Sequence, residues 1–282
     1  MTVEKIAWLM DSSAYLSNKL KDHPDVYVIP LNIHFGPEQF IDGVDLTPEQ
    51  LYDRIRNETE SIKTSQPSAG EFAVLYEKLS KNYDSIIAIH ISKNLSGTIS
   101  SSISGAEIAK VQVEFIDSLS LSAGITGLME KGLQLQEAGK SVQEIASYLR
   151  EMVLKLRSYI LIGNLTQLYK GGRLSSAQFY LGNLLKIKPV IHITKEGELK
   201  ELEKVRSHKR AIKYLVNKAI EAVEKDGLLH MYIMHANAEQ QAIDLKEAIL
   251  QQAPDLQFTI GEISTSLAVH AGEDTLALLW YL

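Results

Sequence analysis

Three hydroxyls and a glycine stand where chemistry could be done, in the turn Ser92-Lys93-Asn94-Leu95-Ser96-Gly97-Thr98. An apolar, β-branched run at 85–91 precedes it and reads as a buried strand. Residues 99–110 follow, with Ile99, Ile103, Ala106 and Ile108 on one side of a helix. A strand that ends in such a turn and opens a helix aims free backbone N–H groups and the positive end of the helix dipole at one spot, which suits a small anionic group. The competing reading is that Ser96 or Thr98 only caps the helix.

Other arrangements are weaker. A hydrolase triad of Ser96, His270 and Asp11 or Asp117 can be drawn, but Asn94-Leu95-Ser96-Gly97 lacks the Gly-x-Ser-x-Gly elbow. Gly139-Lys140-Ser141 resembles the end of a P-loop, yet residue 134 is Gln where Gly is needed and the segment joins two helices. None of the 8 His residues forms a His-x-x-x-His or His-Glu-x-x-His zinc pattern. The basic run 204–210, with Arg206 among it, reads as a solvated helix start or as a patch for an acidic partner.

The elements that must position these residues alternate strand and helix. Strands are predicted at 6–10, 26–35, 85–91 and 111–116, and helices after Thr47, after Ser68, at 120–137 and at 141–157. Thr47 with Gln50, Ser68 with Glu71 and Ser141 with Glu144 each spell a capping box. This half reads as a parallel sheet covered by helices. The second half begins with a strand at 159–163 and a basic, glycine-bearing turn at 168–173. A hairpin follows with Lys195-Glu196-Gly197-Glu198 at its tip, then a helix at 207–224, a strand, a helix and two strands, with His270 in a loop before the last strand. The expected division is an N-terminal α/β lobe at 1–160 and a C-terminal α/β lobe at 161–282 built on a mixed sheet, with a ligand cleft between them.

Composition removes several function classes. Lys plus Arg number 29 against 35 Asp plus Glu, net −6, which argues against a general nucleic-acid binder. With no Cys, disulfides, thiolate catalysis and Cys-bound zinc are excluded. The N-terminal apolar run is too short for a signal peptide, and the longest apolar run, 276–282, is far below a membrane span. A cytoplasmic protein with no transmembrane segment is expected.

Six short motifs then occur in a familiar order: Asp11-Ser12-Ser13, Thr64-Ser65-Gln66-Pro67-Ser68, Leu95-Ser96-Gly97-Thr98, Lys170-Gly171-Gly172-Arg173, Lys186-Ile187-Lys188-Pro189 and His270-Ala271-Gly272. Over essentially its whole length the chain resembles the DegV family. The resemblance implies a bacterial two-lobed α/β protein that holds one long-chain fatty acid in a buried tunnel between its lobes. It implies no catalysis and no cofactor of its own. The carboxylate would be presented to a separate ATP-dependent fatty acid kinase, whose acyl phosphate feeds phospholipid synthesis. By resemblance Thr64, Ser96 and His270 bind the carboxylate, Ser12, Ser65, Gly97 and Thr98 belong to the supporting turns, and Arg173 and Arg206 face the kinase. Glu273 is a departure, standing where many relatives have a second Gly. The residue chemistry is compatible: neutral hydroxyls and helix N-termini can hold a carboxylate without a Lys or Arg clamp. Each buried CH₂ of the tail adds ~0.8 kcal/mol.

Overall fold

Strand β1 (Ile6–Asp11) is buried along its whole length, because both of its faces are covered. The structure, a computed structural model, describes residues 4–57, 62–173, 188–205 and 207–282. The chain forms two compact units: Met1–Leu46, Thr64–Lys155 and Lys195–Glu198 make the first, and Thr47–Lys63, Leu156–Thr194 and Leu199–Leu282 the second. Two excursions therefore depart from a single boundary at residue 160.

In the first unit β1 is followed by a short helix α1 (Asn18–Lys21), β2 (Val26–Ile29), β3 (Asn32–Phe35) and β4 (Glu38–Ile41). The chain then leaves this unit for α2 (Pro48–Asn57) and returns with β5 (Lys63–Ser65), α3 (Ala69–Leu79), β6 (Ser85–His90), α4 (Thr98–Ala109), β7 (Glu114–Asp117), α5 (Ala123–Glu137) and α6 (Val142–Met152). The sheet order is β2-β1-β6-β7, all parallel. Strand alternation sends Ala7, Leu9, Ile86 and Ala88 to one face, where they pack with Phe72 and Tyr76 of α3 and Ala106 of α4. Trp8 lies on the other face, and its Nε1 donates to Gln136 Oε1 of α5 at 2.7 Å.

The expected strand at 26–35 is two strands. Pro30, which has no N–H to give a ladder, stands between them; β2 joins the parallel sheet and β3 joins β4 and β5 in a smaller one. All three capping boxes form. At α2 the Thr47 N–H donates to Gln50 Oε1 at 2.9 Å and the Gln50 N–H to Thr47 Oγ1 at 3.2 Å. Ser68 and Ser141 cap α3 and α6 in the same reciprocal way.

In the second unit a mixed sheet carries β8 (Leu156–Leu161), β9 (Lys188–Ile193), β10 (Leu199–Val205), β11 (His230–His235), β12 (Gln257–Glu262) and β13 (Leu276–Tyr281), in the order β10-β9-β8-β13-β11-β12. Only the β11–β12 pair is parallel among these ladders. The helices are α7 (Leu165–Lys170), α8 (His208–Asp226), α9 (Glu239–Leu250) and α10 (Thr265–Ala271). Leu215 and Ala219 of α8 and Leu245 and Ile249 of α9 pack with Ile233, Leu278 and Trp280 of the sheet. No helix among the described residues is long and apolar enough to cross a membrane.

Candidate functional site

The hydroxyl turn leaves β6 and opens α4 as its spacing requires. Ser92 and Thr98 are fully buried, whereas Ser96 and Gly97 are half-buried. Ser92 O accepts the N–H groups of Leu95 and Ser96 at 2.9 and 3.0 Å, which winds 92–96 into a tight loop. The helix N-cap is Gly97, with no side-chain cap bond. Ser96 and Thr98 do not serve as that cap; their hydroxyls bond each other at 2.8 Å. Two adjacent hydroxyls at the start of a helix without a side-chain cap make a neutral, donor-rich end.

Thr64 and Ser65 lie on β5, both half-buried, and the Ser65 hydroxyl shares a proton with His34 Nε2 at 2.9 Å. The turn after β5 reaches the turn before α4: a Cβ on Gly97 would stand 2.9 Å from Nε2 of Gln66. The segments carrying Thr64 and Ser96 are thus brought together. Ser12 supports the small sheet; its hydroxyl donates to Asp42 Oδ2 at 2.6 Å and accepts the Leu31 N–H at 2.9 Å.

Beneath the turn lies a group the sequence reading did not find. Asp11, His90 and Ser102 are fully buried, with His90 Nδ1 3.1 Å from Asp11 Oδ2 and His90 Nε2 2.8 Å from the Ser102 hydroxyl. Asp11 also accepts the N–H groups of Ile91 at 2.9 Å and Ser13 at 3.1 Å. Burial alone would raise the Asp11 carboxyl, but the bonds from His90, Ser13 and Ile91 carry it below its usual value. The order Asp–His–Ser is that of a hydrolase relay. Here the Ser102 hydroxyl is also held by Tyr76 OH at 2.5 Å and is closed off from solvent, so the group organises the strand ends rather than attacking a substrate.

In the second unit His270 lies in helix α10, not in a loop. Ser264 caps this helix by accepting the Leu267 N–H, and Gly272 ends it. Burial lowers the His270 pKa to about 4, with the Arg173 charge adding to the effect, so the ring is neutral near pH 7. Gly171 permits its position, because a Cβ there would stand 2.2 Å from His270 Nδ1. Its neighbour Gly172 takes the left-handed conformation at φ +75°. Arg173 is half-buried, and its guanidinium donates to Gly171 O at the C-terminal end of α7, as a helix-capping side chain does. Burial lowers its pKa. Arg206, and Lys186-Ile187 of the motif that continues to Pro189, lie outside the described residues. Glu273 accepts from Arg56 Nη2 at 2.6 Å and Nε at 3.0 Å and from Asn237 Nδ2 at 2.8 Å, which gives it a local structural role. Among the described residues no cluster of His, Asp or Glu could hold a metal ion.

Comparison with known proteins matches residues 5–282 to a family model described as "Uncharacterised protein, DegV family". The chain is similar to Protein DegV of Bacillus subtilis, 32% identical over 98% of each chain. Among solved structures it resembles a fatty acid binding DegV family protein from Streptococcus agalactiae at 31% identity, covering 98% of each chain with a TM-score of 0.89. It also resembles DegV, a fatty acid binding protein from Bacillus subtilis, at 31% identity over 99% of each chain with a TM-score of 0.88.

Proposed function

The chain belongs to the DegV family, and from that premise we propose that it binds one long-chain fatty acid and presents the carboxylate to a separate ATP-dependent fatty acid kinase. The observation that carries this reading is the Ser96–Thr98 hydroxyl pair at a helix start with no side-chain cap, in a chain 31% identical to relatives named for fatty acid binding. Neutral donors suit a headgroup that binds as a carboxylate and later accepts a phosphoryl group. A guanidinium clamp would hold the charged oxygens too firmly for that transfer. On this reading Thr64 and Ser96 donate to the carboxylate, His270 is a further headgroup partner, and the acyl tail occupies a buried tunnel that supplies most of the affinity. The phosphate donor belongs to the partner, which goes with the lack of a P-loop sequence here and with a cytoplasmic site of action.

Among the described residues the geometry does not favour a self-contained serine hydrolase. The Asp11–His90–Ser102 group is closed off from solvent, and among the described residues the charge shown to act on His270 is the Arg173 guanidinium.

The test is denaturing extraction and mass spectrometry of protein made in bacteria, followed by titration of the delipidated chain with oleate. About one fatty acid per chain is expected. Ser96→Ala and Thr64→Ala should each weaken binding by roughly 1.5–3 kcal/mol without abolishing it. Recovery of no lipid, with no uptake of oleate, would sink the proposal. For the kinase step, Arg173→Ala and Arg206→Ala should keep their lipid yet fail to support acyl-phosphate formation with the cognate kinase and ATP. Loss of lipid in step with turnover would place those arginines in the pocket or the fold instead.

A further inference from the structure

Resting on the reading of 92–98 as the headgroup turn, we infer that the tip of the β9–β10 hairpin, Lys195–Glu198, is a positioning clasp for that turn. Gly197, Ser92 and Asn94 are its contact residues. Although β9 and β10 pair within the sheet of the second unit, the tip itself belongs to the first. Its backbone carbonyls are where the turn is fastened. The buried Ser92 hydroxyl donates to Gly197 O at 2.9 Å and accepts the Asn94 N–H at 3.2 Å, while Asn94 Nδ2 donates to Glu196 O at 2.7 Å.

Ser92 is also the residue from which Ser96 hangs, since its carbonyl accepts the Ser96 N–H at 3.0 Å. A chain of two hydrogen bonds thus runs from Gly197 O through Ser92 to the backbone of Ser96. The Ser92 N–H in turn donates to Ser120 O at 2.8 Å.

Gly197 is required for two reasons. Its φ of +80° is left-handed, and a Cβ there would stand 2.2 Å from Ser92 Oγ and 3.0 Å from Leu119 Cα. A hairpin turn alone explains the φ. It does not explain why a buried hydroxyl and a neighbouring amide both commit to the tip's carbonyls. Clasping explains both, because each bond removes a direction in which the turn could open and turn the Ser96 hydroxyl away from the headgroup. Ser92, Asn94 and Gly197 are positioning residues on this account and need not touch the ligand.

The experiment uses the full chain with Asn94→Ala, Asn94→Asp and Gly197→Ala, read by oleate titration, hydrogen exchange of the ligand-free protein and thermal melting. Asn94 is exposed, so its variants keep the core intact. They should weaken oleate binding by about 2- to 10-fold, the loss of one ordinary hydrogen bond, and speed exchange across 92–98, with little change in melting. Gly197→Ala should do both more strongly. In a double-mutant cycle with Ser96→Ala, the Asn94→Ala effect should largely vanish, because there is no Ser96 hydroxyl left to position. Unchanged exchange across 92–98, or an Asn94→Ala effect that simply adds to Ser96→Ala, would overturn the clasp. A parent chain that takes up no oleate overturns the fatty-acid reading instead, and hydrogen exchange alone then decides whether the tip holds the turn.

Discussion

The first unit keeps the polar groups near its hydroxyl turn in a closed, fully buried network, whereas the second surrounds its own candidate residues with ionised groups that solvent reaches. Asp11 receives bonds from His90, Ser13 and Ile91 and is wholly enclosed. Arg56 and Glu273 meet in a two-pronged pair with the Arg56 side chain 50% exposed. A buried network has no water to replace a missing partner, so it fixes one geometry. An exposed ion pair trades its partner for water and salt at small cost. The contrast says that the carboxyl edge of the parallel sheet is held rigid, while the exposed Arg56–Glu273 pair is tunable by pH and ionic strength.

The sharpest way to break this comparison is Asp11→Ala. It leaves His90, Ser13 and the Ile91 amide without an acceptor in the interior, at a cost of roughly 3–5 kcal/mol. Urea unfolding should show that loss, and 1 M salt should not restore it. A cost near that of a surface change would mean water enters the network and that the first unit is no more rigid than the second. Next in size is Gly171→Ala, whose methyl must displace the His270 ring. Such overpacking costs about 1–3 kcal/mol, and it should move the His270 ring resonances in an NMR spectrum. Unmoved resonances at full stability would mean that the ring has room to spare.

What could be read from sequence follows the range of the physical signal. Capping boxes at Thr47, Ser68 and Ser141 are legible because donor and acceptor are three residues apart. The split of 26–35 at Pro30 is not legible locally, because β2 and β3 choose different sheets and that choice depends on distant strands. Helix α10 looks like a loop in the sequence, though Ser264 before it and Gly272 after it are ordinary end signals; seven residues are too few to display a periodic face. The Asp11–His90–Ser102 group leaves no motif, since 79 residues separate the first two and only the parallel pairing of β1 with β6 brings them together. Thr64, Ser96, His270 and the arginines are singled out by family resemblance alone, and their roles stay proposals. Composition alone would not have singled them out, and Arg173 shows why: its guanidinium caps a helix, which nothing in the local sequence distinguishes from a docking role.

A smaller effect sharpens the second half of the comparison. His270 has a folded pKa of about 4 against an ordinary 6.5, held down by burial and then by Arg173. Between those values the unfolded chain carries a proton that the folded chain does not. Stability therefore falls as pH drops from about 6.5 to about 4, and levels off below. His270→Gln, which cannot titrate, should flatten this part of the stability profile. Arg173→Ala should only shift it, because burial remains. A profile unchanged by His270→Gln would show that another group sets the slope.

The smallest expected effect belongs to the Arg56–Glu273 pair, and it decides whether the second unit's charges are tunable in the sense argued above. The Arg56 bond, ahead of the partial burial that opposes it and the Asn237 bond that assists, holds the Glu273 carboxyl below its usual range. Because the folded pKa is depressed, the stabilisation is present above the unfolded value near 4.5 and is lost as pH falls through the folded one. Glu273→Gln keeps the shape and one acceptor for Asn237 but removes the charge. It should lower the melting temperature slightly at low salt and neutral pH. The difference from the parent should shrink by 1 M salt, where the screening length is about 3 Å, and as pH falls through the depressed folded pKa, where the parent's own carboxylate becomes protonated. Replacement by Gly should go further, because it also releases Asn237 and loosens the chain beside His270. A Glu273→Gln deficit that persists in high salt would place this pair with Asp11, as part of a closed network that solvent does not reach.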